Sequence, residues 1–158
     1  MSIVRLLDII DVDFVNYKVP SMTLMFPFCT FKCGIEHCQN SQLKNELLVS
    51  ISCENIFDRY ICNRIAQAVV FQGFEPFDSF EEMIDIIAFF RLGSCNDDIV
   101  IYTGYNREEI KREVDYIKSN YKNIVIKFGR YIPNMAPHYD KILGVNLSSD
   151  NQYAERVS

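Results

Sequence analysis

Apolar residues along the chain fall into short runs bounded by turn residues, and these runs alternate with stretches of helical periodicity. Ile3 to Ile10, Ser21 to Phe26, Gln67 to Phe71, Ile99 to Tyr102 and Ile124 to Phe128 read as strands, with a weaker one at Ile142 to Leu147. Most are continuous apolar runs, the pattern of parallel strands buried on both faces. Phe80, Met83, Ile84, Ile87 and Phe90 recur at helical spacing until Gly93 stops the run, and Ser79 with Glu82 has the spacing of a capping box. A second helix follows Asn106, with Glu109 three residues on and Ile110, Val114 and Ile117 as its apolar stripe before Ser119 and Asn120. A shorter helix is predicted over Glu54 to Ile61.

Strand and helix in alternation predict an α/β fold with a parallel sheet, arranged as a partial barrel or an open sheet. In such folds ligands gather where strands end and loops begin. Four loops qualify: Pro27 to Asn40, Gln72 to Phe77, Thr103 to Asn106 and Gly129 to Met135.

At 158 residues and 49% hydrophobic content the chain can bury one substantial core, which predicts a single domain over residues 1–158. The formal charge of -5 argues against duplex nucleic acid as a partner, since that affinity rests on a basic surface. Asp8, Asp11 and Asp13 interrupt the apolar N-terminus too early for a signal peptide or membrane span, so a soluble, cytoplasmic protein is expected.

Six cysteines in a reducing compartment point to metal rather than disulfides. Cys53, Cys62 and Cys95 are scattered and read as buried or free thiols. Cys29, Cys33 and Cys38 instead share the loop after the Ser21 to Phe26 strand, spaced C-x3-C-x4-C. Three thiolates on one loop can bind three irons of a 4Fe-4S cubane and leave the fourth open to a substrate. They could equally bind zinc with a fourth ligand from Cys53, Cys62 or His138. The loop alone does not separate the two metals.

The loop resembles the cluster motif of radical S-adenosylmethionine enzymes, usually C-x3-C-x2-C with an aromatic residue before the last cysteine. Cys29 and Cys33 match that spacing, His37 stands where the aromatic residue would be, and the second gap is two residues longer. Cys38-Gln39-Asn40 is similar to the C-H-N that ends the motif in the small activators of anaerobic ribonucleotide reductase. Gly73-Phe74-Glu75-Pro76 stands where the family carries G-G-E-P, with Phe74 in place of the second glycine. Thr103-Gly104-Tyr105 resembles a T-G-Y at a strand end in the same activators. Lys127 to Ile132 resembles their D-G-R-F, with the aspartate replaced by Lys127 and Phe128, and Leu147 to Gln152 resembles G-S-x-N-Q.

The resemblance runs from about Pro20 to Gln152 and implies a radical S-adenosylmethionine domain with its cluster loop at 27–40. It implies Cys29, Cys33 and Cys38 as cluster ligands, and His37, Gly73, Phe74, Glu75, Thr103 and Asn151 as residues around the bound S-adenosylmethionine. Glu75 would accept a hydrogen bond from the cofactor's amino group, a charge-assisted contact. The implied activity is reductive cleavage of S-adenosylmethionine to a 5'-deoxyadenosyl radical. The implied partners are a glycyl-radical enzyme and an electron donor such as flavodoxin or ferredoxin. The altered cysteine gap and lost aspartate admit another protein, peptide or small-molecule substrate. A non-catalytic zinc or iron-sulfur module is the remaining alternative.

Overall fold

The computed structural model describes residues 2–27 and 47–158. Its strands are β1 (Ile3–Leu6), β2 (Asp8–Asp13), β3 (Ser21–Phe26), β4 (Val49–Ser52), β5 (Ala68–Gly73), β6 (Ile99–Tyr102), β7 (Ile124–Phe128), β8 (His138–Asp140), β9 (Val145–Leu147) and β10 (Tyr153–Arg156). The helices are α1 (Cys53–Ile61), α2 (Phe80–Leu92) and α3 (Lys111–Asn120), the last two each entered through a 3-10 turn. No described helix is long and apolar enough to cross a membrane.

Six strands form one open sheet in the order β10-β7-β6-β5-β3-β2, with no closed barrel among the described residues. The central four run parallel, while β2 on β3 and β10 on β7 are antiparallel. The parallel strands are almost wholly buried because both faces are covered, which explains their unbroken apolar runs. Met22, Leu24, Phe26, Val69, Phe71, Ile99, Ile101, Ile124, Ile126 and Phe128 face the helices and meet Ile56 and Tyr60 of α1, Met83, Ile87 and Phe90 of α2, and Val114 and Ile117 of α3. Each fully buried aliphatic or aromatic side chain there contributes roughly 1.5–3 kcal/mol. The opposite face carries no helix among the described residues. Ala68, Val70, Val100 and Val125 are covered there by Tyr17, Leu143 and Leu147 from loops and the short β8–β9 ribbon.

The predicted strand Ile3 to Ile10 is two strands serving two sheets. β1 pairs with β4, β2 pairs with β3, and the Leu7 N–H between them donates to the Met25 carbonyl at 2.7 Å. The predicted strand Ile142 to Leu147 is shortened to β9, because Asp140 accepts hydrogen bonds from the Ile142 and Leu143 N–H groups and holds that stretch in a turn.

α2 begins and ends where its pattern predicts, but the predicted box at Ser79 does not form. Glu82 accepts instead from the Arg5 backbone N–H at 2.6 Å and pairs with the Arg5 guanidinium at 2.8 Å. The buried Ser79 hydroxyl has no partner among the described residues. Gly93, read as a helix stop, also makes room for packing: a Cβ there would sit 2.5 Å from the Phe57 ring, which lies edge-on to Phe90. At the amino ends of the parallel strands, Arg91 donates to the carbonyls of Cys95, Asp97, Lys122 and Asn123 and ties together the loops that feed β6 and β7. The carboxyl ends are left to the four loops identified from the sequence.

Candidate functional site

Cys29, Cys33, Cys38 and His37 lie outside the described residues. Their loop leaves β3 after Phe26 and Pro27, and its root is fixed by the neighbouring strand. In the parallel register Phe26 is opposite Gly73, and the Phe74 N–H donates to the Phe26 carbonyl at 3.0 Å. Gly73 has φ +98°, and a Cβ on it would lie 2.5 Å from the Phe26 nitrogen and 2.6 Å from its oxygen. Only glycine fits both the conformation and the approach. The turn bearing Glu75 is therefore pressed against the segment that leads into the cysteines.

Glu75 is 4% exposed. Its Oε1 accepts from the Phe77 N–H at 3.1 Å, and its Oε2 accepts from the Gly104 N–H at 2.9 Å. The Thr103 side chain is a third hydrogen-bond partner. Burial nevertheless dominates and lifts its pKa to about 7, against the lowering effect of these donors and with a further push from Asp78. A carboxylate offers about four lone-pair sites, so among the described residues one acceptor position remains.

Thr103 is buried at the end of β6, where its N–H donates to the Lys127 carbonyl at 2.9 Å and its hydroxyl accepts from the Tyr105 N–H at 3.0 Å. The Tyr105 hydroxyl donates to Asp78 at 2.6 Å. Arg130 makes a two-pronged pair with Glu109 at 2.8 and 2.7 Å and stacks over the Tyr105 ring with 5.6 Å to its centroid. Glu109 also accepts from the Asn106 N–H at 3.2 Å, so the predicted partner of Asn106 also anchors the loop after β7. Asn151 donates to the Arg130 carbonyl at 2.7 Å and accepts from the Ser149 hydroxyl at 2.6 Å, placing it behind that loop.

Gly73, Phe74, Glu75 and Thr103 thus share one sheet edge with the root of the cysteine loop, and Asn151 supports the adjoining loop. Among the described residues no group of three or more His, Cys, Asp or Glu side chains could hold a metal ion. Cys53 is buried at the start of α1 with its thiol pushed up to about 11 by desolvation, and Cys62 is exposed. The His138 Nε2 is 2.6 Å from the Gln152 carbonyl oxygen.

One group at this edge had no role in the sequence reading. Lys127 is 7% exposed, and burial pulls its ammonium down to about 8, an effect the charge of Glu75 opposes. Its Nζ donates to the Gly129 carbonyl at 3.0 Å and lies 5.7 Å from the centre of the Tyr102 ring. A lysine inside the apolar run Ile124 to Phe128 was the available signal.

A family model described as "4Fe-4S single cluster domain" matches residues 20–152, which span the cysteine loop and all four strand-end loops. No curated protein matches the chain.

Proposed function

The chain belongs to the 4Fe-4S single cluster domain family, and from that premise we propose that it is a radical S-adenosylmethionine enzyme that activates a glycyl-radical enzyme such as anaerobic ribonucleotide reductase. The observation that carries the reading is Glu75, a buried carboxyl with one acceptor position left, held against the root of a three-cysteine loop.

Three closely spaced thiolates suit a cubane that keeps one iron open, and Cys29, Cys33 and Cys38 would hold it. A cluster held there would supply the one electron needed for reductive cleavage of S-adenosylmethionine to methionine and a 5'-deoxyadenosyl radical. The electron comes from a reductant such as flavodoxin or ferredoxin. The chain's own residues position the cofactor. Glu75 accepts from the methionine ammonium, and the arriving cation favours the ionised carboxylate that burial disfavours. The Phe77 and Gly104 N–H groups and Thr103 fix the carboxylate plane, so the ammonium is met from one direction. His37, Gly73, Phe74 and Asn151 complete the surroundings that the resemblance implies. That radical would take hydrogen from a glycine of the partner, giving 5'-deoxyadenosine and a glycyl radical.

The test is anaerobic reconstitution with iron and sulfide. About four irons per chain, release of 5'-deoxyadenosine with dithionite, and a glycyl-radical signal after incubation with anaerobic ribonucleotide reductase are expected. Stoichiometric zinc without cofactor cleavage overturns the radical reading. Cleavage without a glycyl signal overturns the choice of partner.

A further inference from the structure

Three of the described glycines, Gly73, Gly129 and Gly144, have φ of +98°, +104° and +72°, where a side chain is strained. A fourth, Gly93, is crowded by the Phe57 ring. Gly104 has neither reason. Its φ lies outside the left-handed region, and a Cβ on it would make only ordinary contacts, 3.5 Å from the Arg130 Cγ and 3.6 Å from the Glu75 Oε2. Apart from its two chain neighbours, no other described residue comes within 4 Å of that point. The backbone and the packing would both accept an alanine, so folding does not account for the glycine.

What the missing side chain leaves bare is one flank of Glu75. Phe77, Thr103 and Gly73 around the carboxyl are buried, whereas Gly104, which donates its N–H to the Oε2, is half-buried. The space where its Cβ would stand is bounded by the Oε2 on one side and the stem of Arg130 on the other. That stem is held in place, because the guanidinium pairs with Glu109 through two hydrogen bonds and lies over the Tyr105 ring. Glu109 also matches the charge of Arg130, which lessens the repulsion a cationic ligand would meet there. We propose that Gly104 determines which ligands reach Glu75: lacking a side chain, it keeps open a gap between the Oε2 and the Arg130 stem, through which the ammonium of S-adenosylmethionine meets the carboxylate. This rests on the radical reading and adds the residue that governs access to Glu75. A methyl group at Gly104 would stand against the Oε2, in the way of an ammonium nitrogen that must come to about 2.8 Å.

The experiment is calorimetric titration of the reconstituted full chain, wild type and Gly104→Ala, with S-adenosylmethionine and with its desamino analogue, in which hydrogen replaces the amino group. Urea unfolding and iron content are read on both proteins. Gly104→Ala is expected to keep its iron and to unfold at a urea concentration equal to or above that of wild type, since alanine restricts the unfolded chain. Its affinity for S-adenosylmethionine is expected to fall about tenfold, while the desamino analogue, which has no use for Glu75, binds both proteins alike. Equal affinity of the two proteins for S-adenosylmethionine overturns the proposal. An equal loss for both ligands overturns it too, as does a lower unfolding midpoint or lost iron in Gly104→Ala, which would make the glycine structural. If wild type binds the two ligands equally, or binds neither, the reading of Glu75 has failed and the proposal falls with it. If wild type prefers S-adenosylmethionine and only Gly104→Ala departs from expectation, the proposal alone is wrong.

Discussion

The Oε2 of Glu75 lies 2.9 Å from the backbone nitrogen of Gly104, and this hydrogen bond, with that of the Tyr105 hydroxyl to Asp78, joins the loops that follow β5 and β6. Its partner oxygen caps the turn that opens toward α2. Glu75 therefore both organises the edge and offers it a charge.

For that reason Glu75→Gln is the informative substitution. It preserves size and one acceptor but removes the charge available to an ammonium. S-adenosylmethionine affinity is expected to fall about tenfold or more with the iron content unchanged, read by calorimetry and metal analysis. Unaltered affinity would reduce Glu75 to a turn residue.

The two buried titrating groups predict opposite pH limbs. Glu75 is raised from 4.5 to about 7, so the native state holds a proton that the unfolded state has lost, and stability falls as pH rises across that window. Lys127 is lowered from 10.5 to about 8, so the unfolded state holds the extra proton above pH 8, and stability rises toward 10.5. Denaturant titrations of wild type relative to Glu75→Gln should lose a few kcal/mol across the acidic window. Relative to Lys127→Met they should gain across the alkaline one. Flat difference curves would mean that neither group is desolvated as described.

Cys29→Ala, Cys33→Ala and Cys38→Ala are each expected to abolish the cluster, whereas Cys53→Ala, Cys62→Ala and Cys95→Ala retain it. Iron and sulfide per chain, with the visible spectrum, decide. A cluster that survives Cys38→Ala would mean that the third thiolate comes from elsewhere.

Gly73→Ala tests the packing of the edge. The added carbon meets backbone on β3 at 2.5 Å and the φ of +98° is strained for alanine, so a loss of about 2 kcal/mol or more is expected in chemical unfolding. Stability equal to wild type would show that the two strand ends are free to part.

The parallel core was legible because its strands are buried on both faces. Ser21 to Phe26, Ile99 to Tyr102 and Ile124 to Phe128 carry the boundaries that the apolar runs predict. What failed depended on distant partners. Local spacing offers Glu82 to Ser79, but Arg5 claims it from far along the chain. The run Ile3 to Ile10 has no glycine or proline where it changes sheet, only Asp8 at the start of β2. β10 follows the Leu147 to Gln152 segment, and its alternation of exposed Tyr153 and buried Ala154 is too short to stand out as a strand.

At the candidate site, motif order located Glu75 and Thr103 at a common edge. Their burial and the hydrogen bonds between the loops were not visible, because they arise from three strands meeting. Lys127 stood out as a charge inside an apolar run, but only the sheet register shows that it lies opposite Tyr102.

The antiparallel strands β2 and β10 terminate the sheet on both margins. Among the described residues, the four parallel strand ends that carry Glu75 and Thr103 therefore lie between two antiparallel margins, and neither outer strand offers a further parallel edge on which the βα pattern could be extended.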